Sequence, residues 1–186
     1  MLTAFGAAVF ALGASVLTDD LSCTILTSFG DDDPNRWVTV NDNVMGGRSL
    51  GGSQVIDGQL VFGGSTNTNG GGFSSIRMPL DQGVLAGAKT LRITAQGDGR
   101  KYRVTLQTTA RYRGRPIAFR QDIAGLSKDA MQTVDVPLTN LDASIFGRSI
   151  DGVTFEASDA QILGLIIYDG LDGPFRLVVD EIAVCR

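Results

Sequence analysis

The sequence predicts an all-β protein, an antiparallel sandwich or barrel built as a single domain. The chain has 186 residues, a length that suits one domain with a sizeable buried core. No stretch after residue 24 repeats its apolar side chains with the period of a long amphipathic helix. Short runs rich in Val, Ile, Thr and aromatic residues recur instead between turn signals, as in sandwiches and barrels.

Nine strand-like runs follow one another along the chain, and no linker divides them. They cover residues 37–40, 54–56, 59–62, 91–95, 102–108, 116–123, 133–136, 162–168 and 175–184. The dipeptide Asp57-Gly58 predicts a two-residue hairpin turn between the second and third runs. Residues 102–108 alternate between two faces as a half-buried strand does. Residues 162–168 have no polar face before Tyr168, which predicts a central strand.

The composition excludes several classes of site. The chain contains no histidine, which excludes catalytic triads that use imidazole as the proton carrier. It also excludes His-ligated metals, and two cysteines are too few for a four-thiolate site or an ordinary iron–sulfur cluster. The net charge of -4 disfavours general binding to nucleic acids or anionic lipids. An enzyme of this composition would have to use carboxylates, hydroxyls, Lys or Arg.

Residues 1–22 form an apolar N-terminal segment that we predict to be a signal peptide. Residues 2–17 are almost wholly apolar, a run shorter than the roughly 20 residues of a transmembrane helix. Small residues near its end suit cleavage, whereas no Lys or Arg precedes Arg36, so mitochondrial import is not supported. Cleavage would leave a secreted or periplasmic domain over residues 23–186 without a membrane span. An apolar segment that stays attached is the alternative.

Cys23 and Cys185 lie at opposite ends of the predicted domain. In a sandwich whose terminal strands pair, they could meet and form a disulfide that closes nearly the whole chain. Two separate buried thiols are the alternative. Neither residue lies in a C-x-x-C motif, so reactive-cysteine chemistry is the least favoured interpretation.

Glycine is concentrated in one part of the chain, since ten of the 24 glycines lie between residues 46 and 72. Their spacing matches neither a P-loop nor a dinucleotide-binding motif. The same region contains the first of a series of motifs that continues to the end of the chain. In order they are Trp37 with NDNVMGGRS at residues 41–49, GQLVF with Gly64 from residue 58, NGGGF with Arg77 from residue 69, GDGR-x-Y at residues 97–102, and GLI and DGPFRL at residues 164–177.

Together these motifs resemble the complex I intermediate-associated protein 30 family, from Thr24 to Arg186. The resemblance implies a galactose-binding-like jelly-roll β-sandwich. It also implies a chaperone-like role, since eukaryotic members of the family help to assemble respiratory complex I without being subunits. We therefore predict a non-enzymatic binding module with no cofactor and no metal, whose client is a protein such as a complex I subunit or assembly intermediate. A carbohydrate-binding module at the sandwich rim is the alternative.

Positive charge is concentrated in one segment. Between Arg100 and Arg120 there are seven basic residues and no Asp or Glu, whereas the remaining chain has nine basic and 20 acidic residues. Arg111, Arg113 and Arg115 alternate, so an extended segment would place them on one face. We interpret the segment as a docking face for an acidic partner. A solvated hairpin with local ion pairs is the alternative, and nucleic acid is the least favoured partner.

The candidate binding residues come from the motifs and from this basic segment. They are Trp37, Asn41, Asp42, Asn43, Arg48, Ser49, Asn69, Phe73, Asp98, Arg100, Tyr102, Arg111, Arg113 and Arg115. For residues 41–43 a structural role is the favoured alternative, because Asx side chains hold the backbone of turns. Asp42 is the best candidate for a functional carboxylate, and a glycosidase would need it to act with Asp98. Met45 is predicted to fill the core.

Overall fold

A computed structural model describes residues 22–30 and 37–186, which form two antiparallel β-sheets around one apolar core. Two single 3₁₀ turns, Asp42–Met45 and Ala157–Asp159, interrupt the strands. In chain order the strands are β1 (Cys23–Thr27), β2 (Val38–Asn41), β3 (Leu50–Ile56), β4 (Gln59–Thr66), β5 (Ser74–Pro79), β6 (Thr90–Gln96), β7 (Tyr102–Tyr112), β8 (Arg115–Asp122), β9 (Gln132–Pro137), β10 (Asp142–Ile145), β11 (Arg148–Ser149), β12 (Ala160–Ile167) and β13 (Gly173–Cys185).

The strands divide into a six-stranded and a seven-stranded sheet. The first has the order β3-β4-β13-β6-β9, with β1 also paired to β13. The second has the order β11-β10-β8-β7-β12-β5-β2. All of these pairings are antiparallel, which confirms the predicted all-β sandwich.

Periodicity located the strands of the centre of the fold correctly. Strand β7 buries Tyr102, Val104 and Leu106 against the opposite sheet, as its alternation predicts. Strand β12 lies between β7 and β5 and is buried along most of its length, so it is the central strand that its apolar sequence predicts. The turn at Asp57-Gly58 joins β3 and β4 in register, as expected. Strands β1, β5, β10 and β11 were not among the predicted runs.

The core lies between the sheets and is centred on aromatic contacts. Phe62 of β4 meets Tyr102 and Phe175 edge to face, with ring centroids 6.5 and 5.0 Å apart. Met45 does not belong to this core, and the prediction that it fills the interior is wrong. The 3₁₀ turn Asp42–Met45 directs its side chain outward, where 53% of the residue is exposed.

The two ends of the described chain are joined at the edge of the six-stranded sheet. Cys23 of β1 lies directly opposite Cys185 of β13, and the two form a disulfide across 162 residues of sequence. The predicted signal segment, residues 1–22, lies outside the described residues except for Ser22. Among the described residues, no helix is long and apolar enough to cross a membrane.

The carboxyl group of Asp42 is fully buried and ties two glycine-rich loops together. The backbone N–H and the hydroxyl group of Ser49 donate to its two oxygens at 2.8 and 2.6 Å. From the other loop, the backbone N–H groups of Gly72 and Phe73 donate to Oδ2 at 2.6 and 3.3 Å. Burial alone would raise the pKa of Asp42, but these hydrogen bonds outweigh it and hold the pKa below its usual range.

Two motif glycines allow the loops to approach this carboxyl group. A Cβ atom at Gly47 or at Gly71 would overlap with the side chain of Asp42. The motif therefore needs both the aspartate and the glycines. Glycine at these positions lets the backbone N–H groups come close enough to donate to the carboxylate. These two loops, residues 42–49 and 67–73, are called the clamped loops below.

The GDGR-x-Y motif forms a second buried polar network, on the turn between β6 and β7. Arg100 donates from Nε and Nη2 to the two oxygens of Asp169, both at 2.7 Å, and the side chains are 12% and 2% exposed. Asp98 accepts from the backbone N–H of Arg100, the hydroxyl group of Tyr102 and the backbone N–H of Arg176 at 2.9, 3.0 and 2.6 Å. The motif thus fixes this turn to the loop between β12 and β13.

Removing the disulfide should destabilise the protein. Replacement of Cys23 and Cys185 by alanine is expected to lower the free energy of unfolding by up to about 5 kcal/mol, since the crosslink restricts the unfolded chain. Thermal unfolding with and without reductant measures the effect. Reductant should lower the melting temperature of the wild type and leave the variant unchanged; equal melting temperatures in all four samples would contradict the prediction.

Asp42→Asn should destabilise the clamped loops, because an amide nitrogen cannot accept the hydrogen bonds that a carboxylate oxygen accepts. We expect a loss of about 2–3 kcal/mol in the free energy of unfolding, measured by urea denaturation. Asn43→Ala is the matched control, since this neighbouring side chain is exposed and should cost less than about 0.5 kcal/mol. Equal losses for the two variants would argue against the clamp.

The buried carboxylates also predict acid sensitivity. Hydrogen bonds from Arg100 lower the pKa of Asp169, and those described above lower the pKa of Asp42. The stabilisation is therefore complete above the unfolded value of about 3.9 and is lost as the pH falls through the lower folded values. Unfolding free energies from pH 7 to pH 2 should fall below about pH 4. In Asp169→Asn the free energy of unfolding should decrease less as the pH falls, whereas Asp129→Asn, at an exposed residue, should leave this pH dependence unchanged.

Candidate ligand-binding groove

A groove of about 490 Å³ crosses the outer face of the seven-stranded sheet. Its floor consists of residues from β2, β5, β12, β7, β8 and β10, and the clamped loops form one end. The lining residues are Val40, Val44, Met45, Gly71, Phe73, Arg77, Gln107, Arg115, Pro116, Ala118, Arg120, Ser144, Ile145, Phe146, Gly147, Ile166 and Tyr168. This set contains three arginines and no Asp or Glu.

Two of these arginines belong to one row across the floor. In the strand register, Arg77 of β5 is opposite Gly164 of β12, Gly164 is opposite Thr105 of β7, and Thr105 is opposite Arg120 of β8. The two Cα atoms are therefore three strand spacings apart, about 14 Å. Because side chains in one row share a face of the sheet, both guanidinium groups lie in the groove.

Both groups are largely withdrawn from solvent, and burial lowers the pKa of Arg77 and of Arg120. For Arg120, the positive charges of Arg103 and Arg77 act in the same direction, whereas Tyr168 and Asp142 act against them to a smaller extent. The Nε atoms of Arg77, Arg103 and Arg120 are buried and have no hydrogen-bond partner among the described residues, although Arg103 Nε forms an ion pair. Arg120 donates from Nη1 to the hydroxyl group of Ser144 at 2.8 Å, a neutral acceptor.

Arg103, one row away, differs because two carboxylates neutralise it. Its Nε lies 2.6 Å from Asp122 Oδ1, and its Nη2 donates to Asp142. Arg103 and Arg120 thus belong to the same basic segment but differ in their surroundings. Arg103 is paired with two carboxylates, whereas no carboxylate is hydrogen-bonded to Arg120 in the described structure.

The rim of the groove is apolar. Val44 and Met45 from one clamped loop are 70% and 53% exposed, and Phe146 at the other end is 70% exposed. Phe73 from the second clamped loop packs edge to face against Tyr168, with centroids 6.5 Å apart. The guanidinium group of Arg115 lies over the ring of Phe146, 5.1 Å from its centroid.

Of the sequence-predicted site residues, Phe73 and Arg115 line the groove. Asp42 and Ser49 are buried in the clamp, and Asn41 holds β3 and β5 by bonds to Gly51 and Ser74. Half-buried Trp37 packs near Phe29, while the remaining loop residues are exposed outside the groove lining, namely Asn43, Arg48 and Asn69.

The prediction that Arg111, Arg113 and Arg115 share one face is wrong. The hairpin between β7 and β8 turns at Arg113 and Gly114, so the three arginines leave the backbone from a strand, a turn and the next strand. Arg111 donates to carbonyl oxygens of its own strand, and Arg113 lies over the ring of Tyr112. Arg115 alone of the three lines the groove.

Asp42 and Asp98 are held by hydrogen bonds to the protein's own backbone, so the structure gives no support to an acid–base pair. Tyr102 is buried, so its ring cannot stack on a nucleobase of a bound nucleic acid. The guanidinium group of Arg100 is bound to Asp169. Within the described part of the chain, no cluster of three or more His, Cys, Asp or Glu could hold a metal ion.

Sequence reasoning did not select Arg77, Arg120, Phe146 or Tyr168 as site residues. Arg77 is the one charged residue in the run SSIRMP, and an isolated charge in an otherwise apolar and small strand was the available signal. Tyr168 similarly ends an apolar run. The other two could be recognised only after β8 and β10 were placed beside each other.

Solved structures with the same architecture are carbohydrate-binding modules. The chain is similar to the family 11 carbohydrate-binding module of a cellulosomal cellulase of Clostridium thermocellum, with a TM-score of 0.68, 13% identity, and coverage of 88% of this chain and 94% of that one. It is also similar to a family 30 carbohydrate-binding module, with a TM-score of 0.52, 16% identity, and coverage of 75% and 92%. At these identities the likeness confirms the jelly-roll sandwich and nothing about the ligand.

No curated protein sequence matches the chain significantly. A family model does match it, over residues 27–179, and this range contains both clamped loops, the GDGR-x-Y turn and the floor of the groove. The chain therefore belongs to the complex I intermediate-associated protein 30 family.

Proposed function

We propose that this chain is a non-enzymatic binding module that holds a segment of a protein client in the groove. The observation that carries the proposal is the lining itself, in which an exposed apolar rim surrounds a floor with three arginines and no carboxylate. Exposed apolar groups gathered around a concavity are typical of an interaction site on a soluble protein.

The rim suits a protein surface. Val44, Met45 and Phe146 expose flexible or aromatic apolar side chains that a client could cover, and methionine adapts to irregular partners. The clamped loops are fixed by the buried carboxyl group of Asp42, so Val44, Met45 and Phe73 do not have to be ordered when a client binds. A preformed rim lowers the entropic cost of association.

The family indicates which client to test first. Its description names association with intermediates of complex I, so we propose an assembly intermediate of a respiratory complex as the client. Binding without catalysis is the simplest proposal for this chain, because its two best candidate carboxylates, Asp42 and Asp98, already accept hydrogen bonds from the backbone.

A carbohydrate is the second candidate ligand. It is supported by Tyr168, an exposed aromatic ring in the groove, and by the fold shared with carbohydrate-binding modules. Sugar hydroxyl groups both donate and accept, whereas the guanidinium groups of the floor only donate. A protein segment that brings acceptors and apolar side chains fits this lining better.

Site-specific photocrosslinking tests the proposal in cells of the source organism. Benzoylphenylalanine would replace Phe146 at the groove or, as a control, Ile56 at the tip of a hairpin in the other sheet. We expect one defined respiratory-complex protein to crosslink from the groove position only. Binding of that purified protein should then weaken about tenfold in Met45→Ser and in Phe146→Ser, and not in Ile56→Ser, since the first two remove rim contacts.

Two results would contradict the proposal. Equal crosslinking from both positions would show that the groove is not the docking site. Calorimetric binding of a mixed-linked glucose tetrasaccharide that weakens in Tyr168→Ala, without any protein crosslink from the groove, would favour the carbohydrate function.

A further inference from the structure

Arg77 and Arg120 on the groove floor have no carboxylate hydrogen-bonded to them within the described structure, because Asp142, which lies opposite Arg120 in the strand register, is bound to Arg103. The Nε atoms of Arg77 and Arg120 are buried without a hydrogen-bond partner, and no Asp or Glu belongs to the groove lining. We propose that Arg77 and Arg120 form a carboxylate-binding site that selects a glutamate or aspartate side chain in an extended segment of the client. The inference rests on the proposed function and names the chemistry that the groove recognises.

The first argument is the cost of burial. A cation withdrawn from water is unfavourable unless hydrogen bonds or an opposite charge compensate for it. Arg100 meets this requirement through Asp169, and Arg103 meets it through Asp122 and Asp142. Arg77 has no such carboxylate, and Asp142, whose charge acts on Arg120, is exposed and hydrogen-bonded to Arg103. A bound carboxylate would therefore supply the missing compensation and would be attracted more strongly there than at the exposed surface.

The second argument is the shape of the row between the two arginines. A Cβ atom at Gly164 would lie 2.8 Å from the carbonyl oxygen of Ile76, 2.8 Å from Thr105 Cγ2 and 3.2 Å from Arg77 Cγ. The glycine therefore leaves space on the floor that the stem of Arg77 uses, and a larger residue would displace this arginine. The positive charge of Arg77 also lowers the pKa of Arg120, which places the two guanidinium groups within electrostatic reach of each other.

The third argument concerns the surroundings of this carboxylate-binding site. Apolar groups flank it on both sides, with Val44 and Met45 at one end and Phe146 at the other. A client segment with an acidic side chain and apolar neighbours would place the acid on the floor and the apolar groups on the rim. In an extended segment, residues two apart point to the same side, so such a segment matches the groove along its length.

Nuclear magnetic resonance of the arginine Nε–H groups in the full chain tests the inference. The probes are two blocked pentapeptides with leucine at positions 1 and 5, serine at positions 2 and 4, and glutamate or glutamine at position 3, so that leucine and the tested residue share one side of the extended segment. We expect the glutamate peptide to shift the Nε–H signals of Arg77 and Arg120 and to bind at least about tenfold more tightly than the glutamine peptide, since hydrogen bonds to charged groups are the stronger kind.

Variants assign the effect to these two residues. Arg77→Met and Arg120→Met should each remove most of the preference for glutamate and leave the affinity for the glutamine peptide unchanged. Arg176→Met is the matched control, because this exposed arginine lies in the other sheet and its loss changes the net charge equally. If a methionine variant does not fold, Arg77→Lys and Arg120→Lys keep the charge but lose the planar fork of donors, and should reduce the preference.

Several outcomes would overturn the inference. These are equal affinities of wild type for the two peptides, unshifted Nε–H signals, an equal effect of Arg176→Met, or tighter binding of glucuronate than of the glutamate peptide. None of them decides the proposed function, which is judged by crosslinking at Phe146. A client that crosslinks there and binds Arg77→Met unchanged would retain the binding function and remove the carboxylate-binding site.

Discussion

A buried carboxyl group without a cation bound to it determines the shape of one end of the molecule. Asp42 accepts four hydrogen bonds from neutral donors of two loops that are far apart in sequence. These hydrogen bonds offset the cost of burying the charge and satisfy backbone N–H groups that would otherwise be unpaired in the interior. Exposed Val44 and Met45 and half-buried Phe73 owe their positions to this interaction, so the proposed binding surface depends on a buried side chain.

The arginines of the chain have two kinds of surroundings. Some are bound by carboxylates of the protein, and others are not. Arg100 is bound on several sides by Asp169 and by backbone carbonyl groups, and it holds a turn in place. Arg120 lies in the same basic segment, yet its described hydrogen bond goes to the hydroxyl group of Ser144. The difference arises from strand order. Strand β10 places Asp142 opposite Arg120, but this carboxylate accepts from Arg103 and leaves Arg120 bound to Ser144, whereas β12 ends beside Asp169 at the turn that carries Arg100.

The family motifs contribute only part of the candidate binding groove. Most motif positions, including Asp42, Ser49, Asp98 and Tyr102, are occupied by contacts within the protein. Motif residues such as Phe73 and Arg77 line the groove together with residues outside the motifs, such as Phe146, and the lining is spread over six strands and their loops. Each motif is easy to recognise in a sequence because its own residues are contiguous, although some of their hydrogen-bond partners are far away in the chain. A surface assembled across strands has no comparable local pattern.

The amino-acid sequence by itself determined the all-β class, the alternation of β7, the central position of β12 and the hairpin at Asp57-Gly58, because periodicity and turn chemistry are local. Only the tertiary structure decided that Met45 faces outward and that the arginine-rich segment turns at Arg113, which puts its arginines on two different strands. It also decided that Arg77 and Arg120 share one row. Those features depend on which strands are neighbours and in which register, and pairing between distant segments is determined by packing of the whole core.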